Sequence, residues 1–121
     1  TMMAEYIALS TAMRDLIPFK RIAEEVCTHM GLSEDKIAVI QTNTVVHEDN
    51  NGAMILAKLP PGRSTPTSKF FNVKYHWFRE QLDPEQIKIV KVASDEQLGD
   101  IFTKGLRKEK FVEMRKKLCG W

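Results

Sequence analysis

Cysteine is almost missing from this sequence. Cys27 and Cys119 are the two cysteines in 121 residues, and their separation matches no metal-ligand spacing. A structural zinc centre is therefore not expected, and two inert thiols point to a reducing, intracellular compartment. No apolar run approaches the length of a membrane span, and the N-terminus lacks the architecture of a signal peptide, so no membrane partner is expected. An excess of one charge is missing as well. The 18 Lys and Arg against 16 Asp and Glu leave a net charge of +2, too small to argue for nucleic acid by itself. Internal repeats and low-complexity segments are also lacking.

What is present reads as an ordinary globular protein. Hydrophobic residues make up 43% and charged residues 28%, and 121 residues suit a single domain over 1–121 that buries a core without disulfide or metal staples. Positive charge gathers from Lys104 onward, in Lys104, Arg107, Lys108, Lys110, Arg115, Lys116 and Lys117. Such a run is first a solvated helix face and only second a surface for phosphates. The opening residues TMMAEYIALS already have helical spacing, which suggests further sequence upstream.

From Met3 the apolar positions Ile7, Met13, Ile17, Ile22, Val26 and Met30 predict a helix that Pro18 kinks or splits and Gly31 stops. Leu32 to Lys36 reads as a polar connection, and the β-branched stretch Ile37 to His47 as a strand. Asn50 is placed to cap a short helix from Asn51 to Leu59, ended by Pro60, Pro61 and Gly62. A turn-rich loop over 61–66 contains Arg63. Lys69 to Leu82 has helical spacing, Ile87 to Val92 alternates as a second strand, and Ser94 or Asp95 begins a helix through Phe102. The last helix spans Glu109 to Leu118, with Gly120 behind it. Helices follow both strands, which favours an α/β fold with parallel pairing.

Three acids sit where charge is expensive. Asp49 ends the first predicted strand, and alternation of side chains sends its neighbour Glu48 to the opposite face. In open α/β sheets the functional crevice lies beyond the carboxyl ends of the strands, so Asp49 is the acid expected to face it. An acidic cap favoured by the helix dipole is the competing reading. Glu5 lies among apolar neighbours in MMAEYIAL, and Asp100 in QLGDIFTK is flanked by Leu98, Ile101 and Phe102. Each alone is more often a cap or a surface acid; together they could hold a hard cation, which selects carboxylate oxygens. Of the histidines, His76 in YHWF reads as packed, His47 as a core residue near the crevice, and His29 as a partner for a helix C-terminus.

AEYIALSTAMR (Ala4 to Arg14), EDNNGAM (Glu48 to Met54), NVKYHWFRE (Asn72 to Glu80) and QLGDIFTKGL (Gln97 to Leu106) occur in an order and spacing that belong together. The chain resembles the ribonuclease H domain at the C-terminal end of copia-type retrotransposon Pol polyproteins, whose usual forms are AEYIALS, EDNQGA, KHINIKYHHFR and QLADIFTKPL. The closing Gly120-Trp121 fits too. The resemblance covers nearly the whole chain. It implies cleavage of the RNA strand of RNA/DNA hybrids with Mg²⁺ or Mn²⁺, and it maps the catalytic, metal-holding carboxylates onto Glu5, Asp49 and Asp100. Asn50, Arg63, Lys69 and Lys104 are the expected nucleic-acid contacts.

The chain departs from that pattern. The family's first catalytic aspartate lies on the first strand of a three-stranded meander upstream of AEY, and these residues begin after it. The implied fold is a partial ribonuclease H-like one, with two parallel strands and flanking helices, the three N-terminal meander strands being absent. KHIN is Lys69-Phe70-Phe71-Asn72, the Arg before it is Thr67, and Gly99 and Gly105 replace Ala and Pro, loosening a helix start and a turn. Two functions follow as expectations. One is a nuclease completed by an upstream polyprotein segment or a second chain. The other is a catalytically inactive remnant that dimerises through the exposed edge of strand 37–47 or binds nucleic acid.

Overall fold

Tyr6, Leu9, Met13 and Ile17 recur every three or four residues, and this stripe organises the protein. The computed structural model describes residues 2–66, 68–70 and 73–121. Thr67, Phe71 and Asn72, which the motif comparison invokes, lie outside them. The chain divides into two compact units, Thr1–Lys91 and Val92–Trp121. Its described residues form a mixed α/β arrangement of four α-helices and two parallel strands.

In the first unit, α1 (Met2–His29) runs unbroken through Pro18. The expected split does not occur, because buried Met13, Ile17 and Lys20 anchor the helix on both sides of an exposed proline. The apolar spacing in its second half is misleading. Ile22, Val26 and Met30 are exposed, and the buried stripe runs through Tyr6 and Leu9 instead.

The predicted strand Ile37–His47 is corrected. Residues Glu34–Thr42 form α2, and only Thr44–Glu48 forms a strand, β1. Glu34 and Asp35 fall in the first turn of α2, where the helix dipole favours acids, and Ile37 and Ile40 lie half-buried three residues apart. These local gains outweigh the weak strand preference of β-branched residues. Helix α3 (Asn51–Ala57) begins as expected, with Asn50 Oδ1 accepting from the Ala53 N–H at 3.0 Å.

Where the sequence predicts a helix Lys69–Leu82, the described residues form three single 3₁₀ turns, Ser68–Phe70, Val73–Tyr75 and Trp77–Glu80. Tyr75, Trp77 and Phe78 all pack on the core. An α-helix turns about 100° per residue, so it would direct Trp77 nearly opposite Tyr75. Strand β2 (Ile87–Lys91) pairs in parallel with β1, from Thr44 beside Ile87 to Glu48 beside Lys91. Ile87 and Ile89 close the core around Ala53, Leu56, Ala57 and Phe78.

The second unit contains a 3₁₀ helix (Leu98–Phe102), where the sequence predicts a longer helix from Ser94 or Asp95, and α4 (Lys108–Cys119). Met114 is buried, and Gly120 terminates α4 at φ 76°, a left-handed conformation that glycine adopts freely. The basic run is a solvated face: Lys110 and Lys117 flank Glu113, at 3.5 Å and 2.8 Å.

Candidate metal centre

The parallel register brings the carboxyl ends of β1 and β2 level with each other. β1 ends at Glu48, and the chain turns through Asp49 into the cap of α3. Glu5 projects from the first turn of α1, next to Tyr6, which is wholly buried in the core. Glu5, Glu48 and Asp49 each offer a carboxylate oxygen within 4.8 Å of the others. Burial falls from Glu48, which is buried, through half-exposed Asp49 to exposed Glu5.

The expectation that Glu48 faces away from Asp49 is therefore corrected. Alternation holds only inside a strand, and Asp49 has already left it. Glu48 Oε1 accepts the Asn50 N–H at 2.8 Å, while Lys91 Nζ donates to the Asp49 carbonyl oxygen. One bond comes from each strand, and together they pin the turn. Burial raises the pKa of Glu48 above its usual value, the Asn50 N–H opposes that, and Glu5 and Asp49 add to the rise by repulsion. A hard divalent cation would take carboxylate oxygens in their ionised form, so the raised pKa of Glu48 opposes binding through that residue.

The other expected site residues have the following partners and places. Asp100 lies in the 3₁₀ helix of the second unit, where its Oδ2 receives Lys104 Nζ at 2.9 Å. Asn50 uses its side-chain oxygen as the α3 cap. Arg63 and Lys69 line one cavity in the first unit. His76 is packed, with Nδ1 2.8 Å from the Tyr6 hydroxyl, and Trp77 Nε1 donates to Ser10 Oγ at 3.2 Å. Sequence reasoning missed Glu48 as a cluster member and Arg79 as a buried cation. EDN, with two adjacent acids, was a signal for the first; a lone arginine in WFRE offered none for the second.

The chain is 32% identical over 117 residues to the retrovirus-related Pol polyprotein from transposon TNT 1-94 of Nicotiana tabacum, a match over 97% of this chain. It is a distant homologue of a copia-type retrotransposon Pol polyprotein. The chain spans 8% of that polyprotein's length. No family model matches the chain, and no solved structure matches it. No helix among the described residues is long and apolar enough to cross a membrane.

Proposed function

We propose that this Pol-related segment is a ribonuclease H-like nuclease module that uses Mg²⁺ or Mn²⁺ to cleave the RNA strand of RNA/DNA hybrids. The observation that supports this most is the meeting of Glu5 with Glu48 and Asp49, 43 and 44 positions later in the chain, one carboxylate oxygen of each lying within 4.8 Å of the others. Mutual repulsion makes three carboxylates at this distance costly, and a divalent cation held among them would offset that cost. Glu5 and Asp49 would supply oxygens to the ion. Glu48 and Lys91 would hold the turn that presents Asp49. A divalent ion at such a site activates water and stabilises charge developing on a phosphodiester. Asp100 enters this reading through the motif QLGDIFTK alone, and Asp100→Asn is its separate test.

Titrating the ¹⁵N-labelled chain with Mn²⁺ checks the site. Paramagnetic broadening should centre on Glu5, Glu48 and Asp49 and vanish in Asp49→Asn. Broadening spread evenly over surface acids would refute it. Activity is tested with an RNA/DNA hybrid and Mg²⁺, on the chain alone and joined to an upstream polyprotein segment carrying the fourth carboxylate. Cleavage lost in Asp49→Asn supports the nuclease.

The inactive, dimerising reading also has an observation in its favour. Among the described residues β1 pairs only with β2, and two strands make a marginal sheet with an open edge. The edge is shorter than the sequence predicts, Thr44–Glu48. Under this reading light scattering gives a dimer at micromolar concentration; a monomer throughout removes it.

A further inference from the structure

Described residues between α3 and β2 border a half-open cavity of about 480 Å³, within the range of about 300–1,000 Å³ that suits small ligands. Arg63, Lys69, Arg79, Glu80, His76 and Trp77 are part of its wall. Arg79 stands out among them. It is 8% exposed, and its Nη1 donates to the carbonyl oxygens of Arg63 at 3.0 Å and Leu56 at 3.4 Å. Its Nε, sealed from solvent, has no hydrogen-bond partner among the described residues. No carboxylate among the described residues lies within 4.0 Å of it. Carbonyl oxygens satisfy donors but do not neutralise charge, and a buried guanidinium without a counter-anion is costly. Its field reaches its neighbours, since it adds to the burial that lowers the His76 pKa and opposes the burial that raises that of Tyr6.

Among the described residues that line the cavity, Arg63, Lys69 and Arg79 are basic and Glu80 is acidic. A guanidinium matches phosphate oxygens in geometry, and an indole ring offers a stacking face for a base. We propose that this cavity binds a nucleotide, its phosphate held by Arg79, Arg63 and Lys69 and its base against Trp77. The nucleotide is either free or one unit of a nucleic-acid strand. None of Glu5, Glu48 and Asp49 lines the cavity, so the site stands without the cation reading. A strand as ligand would extend the nuclease reading.

The test is a ¹H–¹⁵N titration of the whole chain with inorganic phosphate, AMP and a short single-stranded RNA, at constant ionic strength. The Arg79 Nε–H and Trp77 indole N–H signals should move along saturating curves, with AMP binding more tightly than phosphate. Arg63→Gln and Lys69→Gln, both at exposed positions, should each weaken AMP by about tenfold, the order expected for losing one charge-assisted hydrogen bond. Arg79→Lys keeps the charge and removes Nε–H; if it does not fold, the two exposed variants carry the test. RNA that displaces AMP and binds more tightly identifies a strand; RNA that does not compete identifies the free nucleotide. Linear shifts, equal shifts with chloride, or unchanged affinity in both glutamine variants would overturn the proposal. Mn²⁺ broadening at the acids is a separate observable, so either reading can fail alone.

Discussion

The Tyr6 hydroxyl lies 2.8 Å from Nδ1 of His76, joining the first helix to a turn 70 positions later. The two rings are tilted at 46° with centroids 5.3 Å apart, and Tyr6 also meets Phe78 at 5.5 Å. Tyr6 is adjacent to Glu5, so the contact that secures the core also sets where an expected metal-holding carboxylate emerges.

Tyr6→Phe keeps the packing and deletes the hydroxyl. A net hydrogen bond contributes about 0.5–1.5 kcal/mol, and leaving His76 Nδ1 without this partner places the loss toward the upper end. Urea unfolding with an unchanged m-value reads it. A loss near zero would show that the bond has no net worth.

His76 should make the fold acid-sensitive. Burial, then the positive charge of Arg79, lowers its pKa below 6.5. The folded state thus binds fewer protons than the unfolded one, so stability is fully present above about pH 6.5 and is lost as pH falls through the depressed value. The urea midpoint of the natural chain should drop between pH 7.5 and 5 more steeply than that of His76→Asn. Parallel profiles would contradict this.

Glu48 works in the opposite direction. Its pKa is raised above 4.5, chiefly by burial, so its contribution is fully present below about pH 4.5 and is lost as pH rises through the raised value. Glu48→Gln, which keeps an acceptor for the Asn50 N–H, should therefore compare better with the natural chain at pH 7 than at pH 4. An equal difference at both pH values refutes the assignment. Mg²⁺ bound at the acids would stabilise the natural chain more than the variant and so reduce that relative gain at pH 7.

Lys20 is buried to 5% exposure and donates to the carbonyl oxygens of Gln41, at 2.9 Å, and Glu85. It ties α1 to the end of α2 and to the turn before β2. Lys20→Met should fill the same space but orphan both carbonyls, at a cost of about 1–3 kcal/mol by urea unfolding. A neutral result would mean that water replaces the ammonium at both.

Several elements were legible because their signals are local. Asn50 caps α3 with its own side chain, Gly120 ends α4 in a left-handed conformation, and helices after both strands implied the parallel pairing that β1 and β2 adopt. Ile37–His47 and Lys69–Leu82 were misread for a shared reason. Intrinsic preferences differ by a kilocalorie per mole or less per residue, and packing overrides them. Ile37 and Ile40 lie half-buried on α2 rather than in a strand, and three aromatics on one core broke the second segment into 3₁₀ turns.

By itself, the order of residues determined where acids, caps and turns would fall, and which stretches carry the likeness to a Pol polyprotein, because these depend on side-chain identity and near neighbours. Only the tertiary structure decided that Glu48 joins Glu5 and Asp49, and that Arg79 is buried beside a cavity. Those outcomes depend on the approach of segments dozens of residues apart. That approach is set by the burial of Tyr6, Met13, Leu56 and Phe78, not by any preference of the charged residues themselves.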